Sequence, residues 1–226
     1  MRFNNQLALM ENPKPSSYRR HRSPGRPTRA YAELRNNELL DTALDLFLAN
    51  GFERTTIEAI TSAVGMAKRT VYARYGDKET LFRRALQRAI DDFVVPMDRL
   101  RAAETEDLEQ SLNEIGHILV ANITSPNGIR LMRITNTESA HMPEIGEYTL
   151  RSGTEPTVAY LCDLLQRRLP ERFADPVEAH DFAYAYLHLV AGGPANIMAW
   201  GVELSPEEIE RQTRVAVRLF LHGILH

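Results

Sequence analysis

Hydrophobic side chains recur at helical spacing from about Ala32 onward. The apolar positions of the first segment that share one helical face are Leu39, Leu40, Ala43, Leu46 and Phe47. Gly51 followed by Phe52 is typical of a helix end whose hydrophobic residue folds back on the last turn. The pattern therefore predicts a first helix that ends near Asn50. No alternation of useful length predicts a strand anywhere in the chain, so we expect an all-α fold.

Two short helices follow, joined by a tight turn. In "TTIEAITSAV", Thr55 and Glu58 have the spacing of a capping box, and the apolar residues of the segment give it one hydrophobic side. The turn is predicted at residues 64–66, where Gly65 stands in the middle. A third helix is predicted over residues 67–75.

The third predicted helix has an apolar and a basic side. Val71 and Tyr75, four residues apart, face inward. The outward positions are Lys68, Arg69, Thr70, Tyr72 and Arg74. Two short helices joined by a glycine turn, with bases and hydroxyls on the second, are the pattern of a helix-turn-helix. Its outward residues would meet phosphates and base edges in a major groove, and the hydroxyls of Thr55 and Thr56 could assist phosphate binding at the start of the second helix.

The remainder of the chain is also predicted to be helical. A fourth helix begins at Lys78, is capped by Asp77 and runs through Phe93, before Pro96 ends or kinks it. Further helices are predicted at about residues 106–123, 127–140, 155–169 and 176–200. The predicted breaks between helices are at Pro126, Pro143, Gly153 and Pro170.

The last helix has a clear start. Ser205, Pro206 and Glu208 supply a cap, a first-turn proline and a capping-box acid. One broad apolar stripe follows, formed by Ile209, Thr213, Ala216, Val217, Phe220, Leu221 and Ile224. This stripe must be buried, either in the protein's own core or against a second copy of the chain.

Charge is unevenly distributed along the 226 residues. Residues 1–88 hold 16 Lys and Arg against 9 Asp and Glu, whereas residues 89–226 hold 11 against 21. Such asymmetry favours a first part that meets a polyanion and a second part that does not. Residues 1–30 contain seven basic side chains, one acidic side chain and four prolines, which indicates a disordered basic arm. The arm either follows DNA or serves as a solubilising tail.

The composition argues against several other classes of protein. Cys162 is the only cysteine, so neither an intramolecular disulfide nor a multi-cysteine metal site can form. The seven histidines form no HExxH or other metal spacing, and no nucleophile-elbow, dinucleotide or P-loop motif occurs. We therefore expect no metal, no cofactor and no enzymatic activity. The absence of a membrane-spanning run or a leader favours a cytoplasmic protein.

Residues 35–85 resemble the DNA-binding domain of TetR-type transcriptional regulators. The resemblance joins four marks in order: the Ala43 to Phe52 helix end, the Thr-Thr start, the unit "VGMAKRTVYARY", and "DKETLF" at the start of the fourth helix. It implies DNA backbone contacts by Thr56, Tyr72 and Lys78. It also implies recognition-helix contacts by Lys68, Arg69, Thr70 and Arg74. Singly, Tyr72 could instead pack on the first helix, Lys78 could be solvated, and Arg74 could pair with Asp77.

The resemblance also implies how the rest of the chain functions. The last two helices would pair with their copies to form a homodimer, whose two recognition helices about 34–36 Å apart would read a palindromic operator in double-stranded DNA. The middle helices would enclose a small apolar or amphipathic effector. The candidate pocket residues are Phe93, Met97, His117, Met132, Thr135, Tyr160, Tyr184, His188, Met198 and Trp200, and for each of them plain core packing is the simpler alternative. Tyr184 and His188 are the preferred polar pair.

The sequence thus predicts a helix-turn-helix domain at residues 31–85, followed by a larger helical effector-binding and dimerisation domain at residues 86–226. We expect a sequence-specific DNA-binding regulator, most simply a repressor that a small molecule releases from its operator. The alternative is a DNA-binding regulator without an effector, controlled by its abundance or by a protein partner.

Overall fold

The computed structural model describes residues 28–225. This range is helical and contains no strand, which confirms the predicted all-α fold. Its α-helices are α1 (Arg29–Asn50), α2 (Ile57–Ala63), α3 (Lys68–Tyr75), α4 (Lys78–Phe93), α5 (Met97–Arg101), α6 (Leu108–Ile123), α7 (Pro126–Glu138), α8 (Pro143–Tyr148), α9 (Glu155–Arg168), α10 (Pro176–Leu187), α11 (Gly193–Ala199) and α12 (Pro206–Leu225). Two π-helical segments, π1 (Thr149–Thr154) and π2 (His188–Gly192), join neighbouring α-helices. The basic arm predicted over residues 1–30 lies, up to residue 27, outside the described residues.

Helices α1 to α4 share one hydrophobic cluster. Its centre holds Phe47 and Phe82, which are fully buried and have ring centroids 4.9 Å apart. Phe52 folds back after the positive-φ residue Gly51, so that its ring lies 5.2 Å from that of Phe82. Asp77 caps α4 by accepting a hydrogen bond from the backbone N–H of Thr80. The predicted ends of α1 and α4 are therefore those of the structure.

A second cluster lies among α6, α9, α10 and α12. Tyr186 is buried there, and its hydroxyl donates a hydrogen bond to the backbone carbonyl of Leu112. Helix α12 packs against α6 and π2. The buried positions of α12 are Thr213, Ala216, Val217, Phe220, Leu221 and Ile224. The stripe predicted from the sequence is thus buried within the protein's own core.

Several helix boundaries differ from those predicted. Helices α5 and α8 were not expected, because each is shorter than two turns and shows no clear periodicity. The predicted breaks at Pro126 and Pro143 are present, and each proline occupies the first turn of the helix that follows, where a missing N–H costs no hydrogen bond. The predicted helix break at Gly153 is absent, because Gly153 lies inside π1. Helices α8, π1 and α9 follow one another without a gap.

Helix α4 contacts both halves of the molecule. Its N-terminal turns pack against α1 and α3, and it also contacts α7, α8 and π1. Two polar contacts join α4 to α8. The Tyr148 hydroxyl donates to the Asp91 carboxylate at 2.7 Å, and Arg83 forms an ion pair with Glu144 at 2.7 Å. A single helix of sixteen residues thus connects the two halves. Within residues 28–225, no helix has both the length and the apolar character needed to cross a bilayer.

Candidate DNA-binding surface and internal cavity

The turn between α2 and α3 has a defined geometry. Gly65 adopts φ 61°, a conformation that glycine reaches without the penalty paid by other residues. The backbone N–H of Met66 donates to the carbonyl of Thr61 at 2.9 Å, which closes the turn. Arg35 of α1 donates to the carbonyl of Val64, so the turn is also attached to the first helix. This arrangement holds α3 at a fixed angle to α2.

The outer face of α3 is polar and is left uncovered by the other described residues. Among residues 28–225, the side chains of Arg69, Thr70, Tyr72 and Arg74 make no hydrogen bond or ion pair. Tyr72 is 48% exposed, whereas Val71 on the opposite face is buried. The Arg74 guanidinium lies 5.9 Å from the centre of the Tyr75 ring rather than against Asp77. Two guanidinium groups and two hydroxyls that make no hydrogen bond within residues 28–225 thus lie on one helical face.

Lys68 differs from its neighbours on α3. Its ammonium group pairs with the carboxylate of Glu58 on α2. The hydrogen bond from Lys68 is the main cause that lowers the pKa of Glu58. Both side chains are half exposed, and a phosphate can therefore compete for Lys68 at modest cost.

Thr55 and Thr56 have different roles at the start of α2. Thr56 is exposed and is the residue that caps the helix, because its hydroxyl oxygen accepts from the backbone N–H of Ala59 at 3.1 Å. Thr55 is only 2% exposed, and its hydroxyl donates to the carbonyls of Leu46 and Gly51. The predictions that Thr55 caps α2 and assists at DNA do not fit this placement. Thr55 instead anchors the end of α1.

Lys78 is partly buried and already has partners within the protein. Its ammonium donates to the carbonyl of Phe52 at 3.0 Å and to that of Glu53 at 3.3 Å, and it lies 4.3 Å from the centre of the Phe52 ring. It therefore ties the start of α4 to the turn between α1 and α2. A phosphate contact by Lys78 would add to this structural role.

A partly open cavity of about 470 Å³ lies beside the C-terminal end of α4. The wall on the side of α4 is formed by Ile90, Phe93, Val94 and Val95. The other walls come from α6, α7, π1, α9, π2 and α11. This volume is within the range of small-molecule sites.

Four of the ten candidate pocket residues line this cavity: Phe93, Met132, Thr135 and His188. The other six lie elsewhere. Tyr160 is buried and donates to the Glu104 carboxylate at 3.0 Å, and Met97 packs on the second hydrophobic cluster. Met198 and His117 do not border the cavity, and Trp200 is 78% exposed at the end of α11.

The preferred polar pair does not act together on a ligand. The rings of Tyr184 and His188 lie 5.6 Å apart, but the Tyr184 hydroxyl donates to the carboxylate of Glu155 at 2.7 Å. Burial and this hydrogen bond raise the pKa of Tyr184 to about 12. His180 also contacts Glu155, at 3.3 Å. Tyr184 therefore joins α10 to the start of α9, and only His188 reaches the cavity.

The sequence did not indicate several polar residues that line the cavity. Asn122, Asn136 and Asn196 each contribute an amide, and no periodicity distinguishes them from surface asparagines. The two π-helical segments also border the cavity through residues such as Gly153 and Gly192. Paired glycines inside an apolar helical pattern were the one available indication of π2.

The cavity wall and α4 are joined at one junction. The side-chain amide of Asn122 donates to the backbone carbonyl of Phe93 at 3.0 Å. Gly128 lies so close by that an added Cβ would stand 2.4 Å from the carbonyl oxygen of Ile123 and 2.7 Å from the Phe93 ring. The end of α4 is thus packed tightly against the connection between α6 and α7. Within the described range, no three His, Cys, Asp or Glu side chains cluster as metal ligands.

Comparison with known proteins gives family matches in both halves of the chain. A family model described as bacterial regulatory proteins of the tetR family matches residues 39–85. A second, described as the C-terminal domain of AefR-like transcriptional repressors, matches residues 110–223.

Curated relatives align over shorter stretches. The HTH-type transcriptional repressor ComR of Escherichia coli K12 is 31% identical over 116 residues, which are 50% of this chain and 55% of ComR. The HTH-type transcriptional regulator TcmR of Streptomyces glaucescens is 32% identical over 99 residues, 44% of this chain and 43% of TcmR. The chain thus spans about half the length of these two relatives.

Solved structures match over most of the chain. A TetR-family regulator from Mesorhizobium loti has a TM-score of 0.73 at 24% identity, over 87% of this chain and 98% of that one. The flavonoid-responsive regulator FrrA has a TM-score of 0.67 at 26% identity, over 84% and 97%. These likenesses extend to both the helix-turn-helix and the helices that enclose the cavity.

Proposed function

The chain belongs to the tetR family of bacterial regulatory proteins, and on this premise we propose that it is a sequence-specific DNA-binding repressor released from a palindromic operator by a small molecule. The observation that carries this proposal is the outer face of α3, where Arg69, Thr70, Tyr72 and Arg74 make no hydrogen bond or ion pair among the described residues. Unpaired guanidinium groups and hydroxyls on a helix of this width suit phosphates and base edges in a major groove. The similarity to ComR, which is described as a transcriptional repressor, supports repression rather than activation.

We propose two functional parts, although the first hydrophobic cluster also takes in Ile134, Met142 and Ile145 from beyond residue 85. We assign DNA binding to residues 31–85 and effector binding and dimerisation to residues 86–226. The acidic excess of residues 89–226 supports this assignment, because phosphates repel it. The basic excess of residues 1–88 comes from residues 1–30 and Arg88, since residues 31–85 hold eight basic and eight acidic side chains. A repressor of this kind works in the cytoplasm and requires no catalytic group.

Dimerisation is proposed through α10 and α12, which contact each other. Because the stripe of α12 is used in the core, the dimer contact must use other side chains. Val215 and Leu219 stand four residues apart on the outer side of α12, and both are exposed. Leu189 is exposed in π2, just after the end of α10. Apolar groups in these positions favour burial against a second copy, whose recognition helix would read the other half of a two-fold operator.

Effector release would act through α4. The cavity is walled at one side by the last turn of this helix, whose first turn lies beside α3. A ligand that prefers a different position of Phe93 would shift α4 and with it the spacing of the two recognition helices. The response of FrrA to flavonoids supports a small organic effector.

Selection of bound sites from a random duplex library tests the DNA-binding function. We expect an enriched palindrome that survives near-physiological salt, and the triple variant Arg69→Ala, Thr70→Ala, Arg74→Ala should lose the enrichment. Binding without an enriched sequence would refute sequence-specific recognition. Titration of candidate effectors against the bound operator then separates the two forms of regulation, since a regulator without an effector would keep its operator affinity throughout.

A further inference from the structure

The lining of the cavity beside α4 carries no formal charge. None of its 22 residues is Asp, Glu, Lys or Arg, and His188 is the only titratable side chain. By contrast, a quarter of all residues in the chain are charged. The polar groups that do line the cavity are neutral amides and hydroxyls, such as those of Asn122 and Thr135.

The charged residues next to the cavity have partners elsewhere. Asp91, which follows the lining residue Ile90, accepts from the Tyr148 hydroxyl. Glu155, which follows the lining residue Thr154, accepts from Tyr184. Arg133, next to Met132, donates to the carbonyls of Met198 and Ala199. A charged ligand would therefore find no counter-ion in the lining, and burying an unpaired ion is far more costly than burying a neutral group.

One neutral group in the lining lacks a partner. Thr135 is only 7% exposed, and its hydroxyl makes no hydrogen bond. Three other polar residues of the lining, Asn136, His188 and Asn196, are exposed and mark the open side of the cavity. The hydroxyl itself has almost no accessible surface, so a ligand with a hydrogen-bonding group at its inner end would satisfy it once a rotation of the Thr135 side chain turns the hydroxyl toward the cavity that this residue lines.

We infer that the effector is an uncharged and mainly apolar molecule that carries a neutral hydrogen-bonding group, such as a hydroxyl, and sets this group against Thr135. Carboxylates, acyl phosphates and quaternary amines are rejected by the same cavity. This inference rests on the proposed function, because it specifies the ligand class of the cavity assigned to the effector.

Two fluorescent probes with one skeleton test the charge rule. N-phenyl-1-naphthylamine is neutral, and 1-anilinonaphthalene-8-sulfonate adds a sulfonate to the same rings. For the full chain we expect the neutral probe to bind with a Kd at least tenfold lower. Equal Kd values, or tighter binding of the sulfonate within the cavity, would overturn the inference.

Matched glycine variants place the binding site. A Cβ added at Gly192 or at Gly193 meets no atom within 4 Å, but only Gly192 lines the cavity. Gly192→Leu should therefore weaken binding of the neutral probe at least tenfold, whereas Gly193→Leu should leave it within twofold. If both variants bind the neutral probe as the wild type does, the probe lies outside the cavity and the inference is overturned.

A change of charge at the open side should reverse the preference. His188 is exposed, so His188→Lys should fold and bring an ammonium group to the cavity. We expect the Kd of the sulfonate probe to fall at least fivefold, while that of the neutral probe changes less than twofold. An unchanged ratio of the two Kd values would contradict the view that missing counter-charge causes the selectivity.

The role of Thr135 has its own test. In competition against the neutral probe, 4-phenylphenol should displace it at about fivefold lower concentration than biphenyl, the effect of one neutral hydrogen bond. Thr135→Val should abolish this difference, and Thr135→Ser should retain it. If Thr135→Val keeps the full difference, the hydroxyl lies elsewhere in the cavity and this part of the inference fails.

The probe experiments can contradict the proposed ligand class without contradicting the proposed function, and the reverse also holds. Both probes can bind in the cavity with equal affinity and still release the operator, in which case only the charge rule is wrong. The neutral probe can also bind selectively and leave operator affinity unchanged, in which case the charge rule stands and this probe is no inducer. Absence of binding by either probe would overturn both proposals for the cavity.

Discussion

Asn122 donates its side-chain amide to the backbone carbonyl of Phe93 at 3.0 Å, and this bond joins the cavity wall to the last turn of α4. The contact connects the proposed effector site with the helix that enters the DNA-binding half. Its removal should weaken the coupling between the two sites more than it weakens the fold.

Asn122→Leu tests this coupling. The loss of one hydrogen bond should lower the free energy of unfolding by about 1 kcal/mol. A saturating ligand lowers operator affinity by some factor, and in Asn122→Leu this factor should be at least fivefold smaller than in the wild type. Fluorescence anisotropy of labelled operator measures both affinities. Asn113→Leu on the same helix is the control, since Asn113 donates only to the carbonyl of Glu109. Full ligand response in Asn122→Leu would exclude this bond from the coupling.

Thr55 and Thr56 should respond differently to mutation. Thr55→Val removes two hydrogen bonds from a buried hydroxyl and should lower the free energy of unfolding by about 2 kcal/mol, with operator affinity per folded molecule unchanged. Thr56→Ala should cost about 1 kcal/mol through the lost cap and should also weaken DNA binding. Urea unfolding and operator titration measure both quantities. A specific loss of DNA binding in Thr55→Val would restore Thr55 as a contact.

Arg69 and Lys78 should separate base recognition from phosphate binding. Arg69→Ala should change base preference at particular operator positions, because Arg69 is free on the outer face of α3. Lys78→Met should lower the free energy of unfolding, since two carbonyls lose their donor. If Lys78 also contacts phosphate, the slope of log K against log salt should fall in magnitude by about 0.9. Uniform weakening by Arg69→Ala would make that residue a phosphate contact instead.

Glu104 should make stability depend on pH. Burial opposes its ionisation, but hydrogen bonds from Arg167 and Tyr160 outweigh burial and lower its pKa below the ordinary 4.5. Because the folded pKa is depressed, the stabilisation is complete above pH 4.5 and is lost as pH falls through the folded value. Glu104→Gln should therefore reduce stability at pH 7 and approach the wild type in acid. Glu106→Gln, at an exposed neighbour, should show little difference at either pH.

Gly128 should not tolerate a side chain. Gly128→Ala would force a Cβ to within 2.7 Å of two backbone carbonyl oxygens, which should cost about 3 kcal/mol or more. Gly146→Ala is the control, because its Cβ would approach the Ser139 hydroxyl no closer than 3.4 Å. Thermal unfolding compares the two variants. A stable Gly128→Ala protein would mean that the α6–α7 connection shifts readily.

Local rules account for the parts of the fold that were predicted. Asp77 caps α4 and Ser205 with Glu208 forms the capping box of α12, because caps depend on residues three positions apart. Gly51 ends α1 for a similar local reason. At the start of α2 the sequence offers two threonines as caps. Thr56 is the cap, because Thr55 is buried against the end of α1.

The cavity could not be derived in the same way. Whether an apolar residue lines a cavity or fills a core depends on what stands opposite, and that is a property of distant helices. Met132 and Tyr160 are alike in their sequence setting, yet only Met132 borders empty space. The resemblance described the DNA-binding half residue by residue but gave only a helical outline for the second half. The unsatisfied hydroxyl of Thr135 became visible only in three dimensions.

The two π-helical segments have a consequence for how the binding site can diversify. A π-turn closes its hydrogen bonds over one more residue than an α-turn, so each segment behaves as a helix with one residue in surplus. Both segments border the cavity. Deleting one residue from His188–Gly192 would let the helix rewind and draw that wall inward, while α2 and α3 stay as they are. Single-residue insertions and deletions in π1 and π2 would thus change the size of ligand that the cavity admits during evolution, while the operator sequence that α3 recognises stays the same.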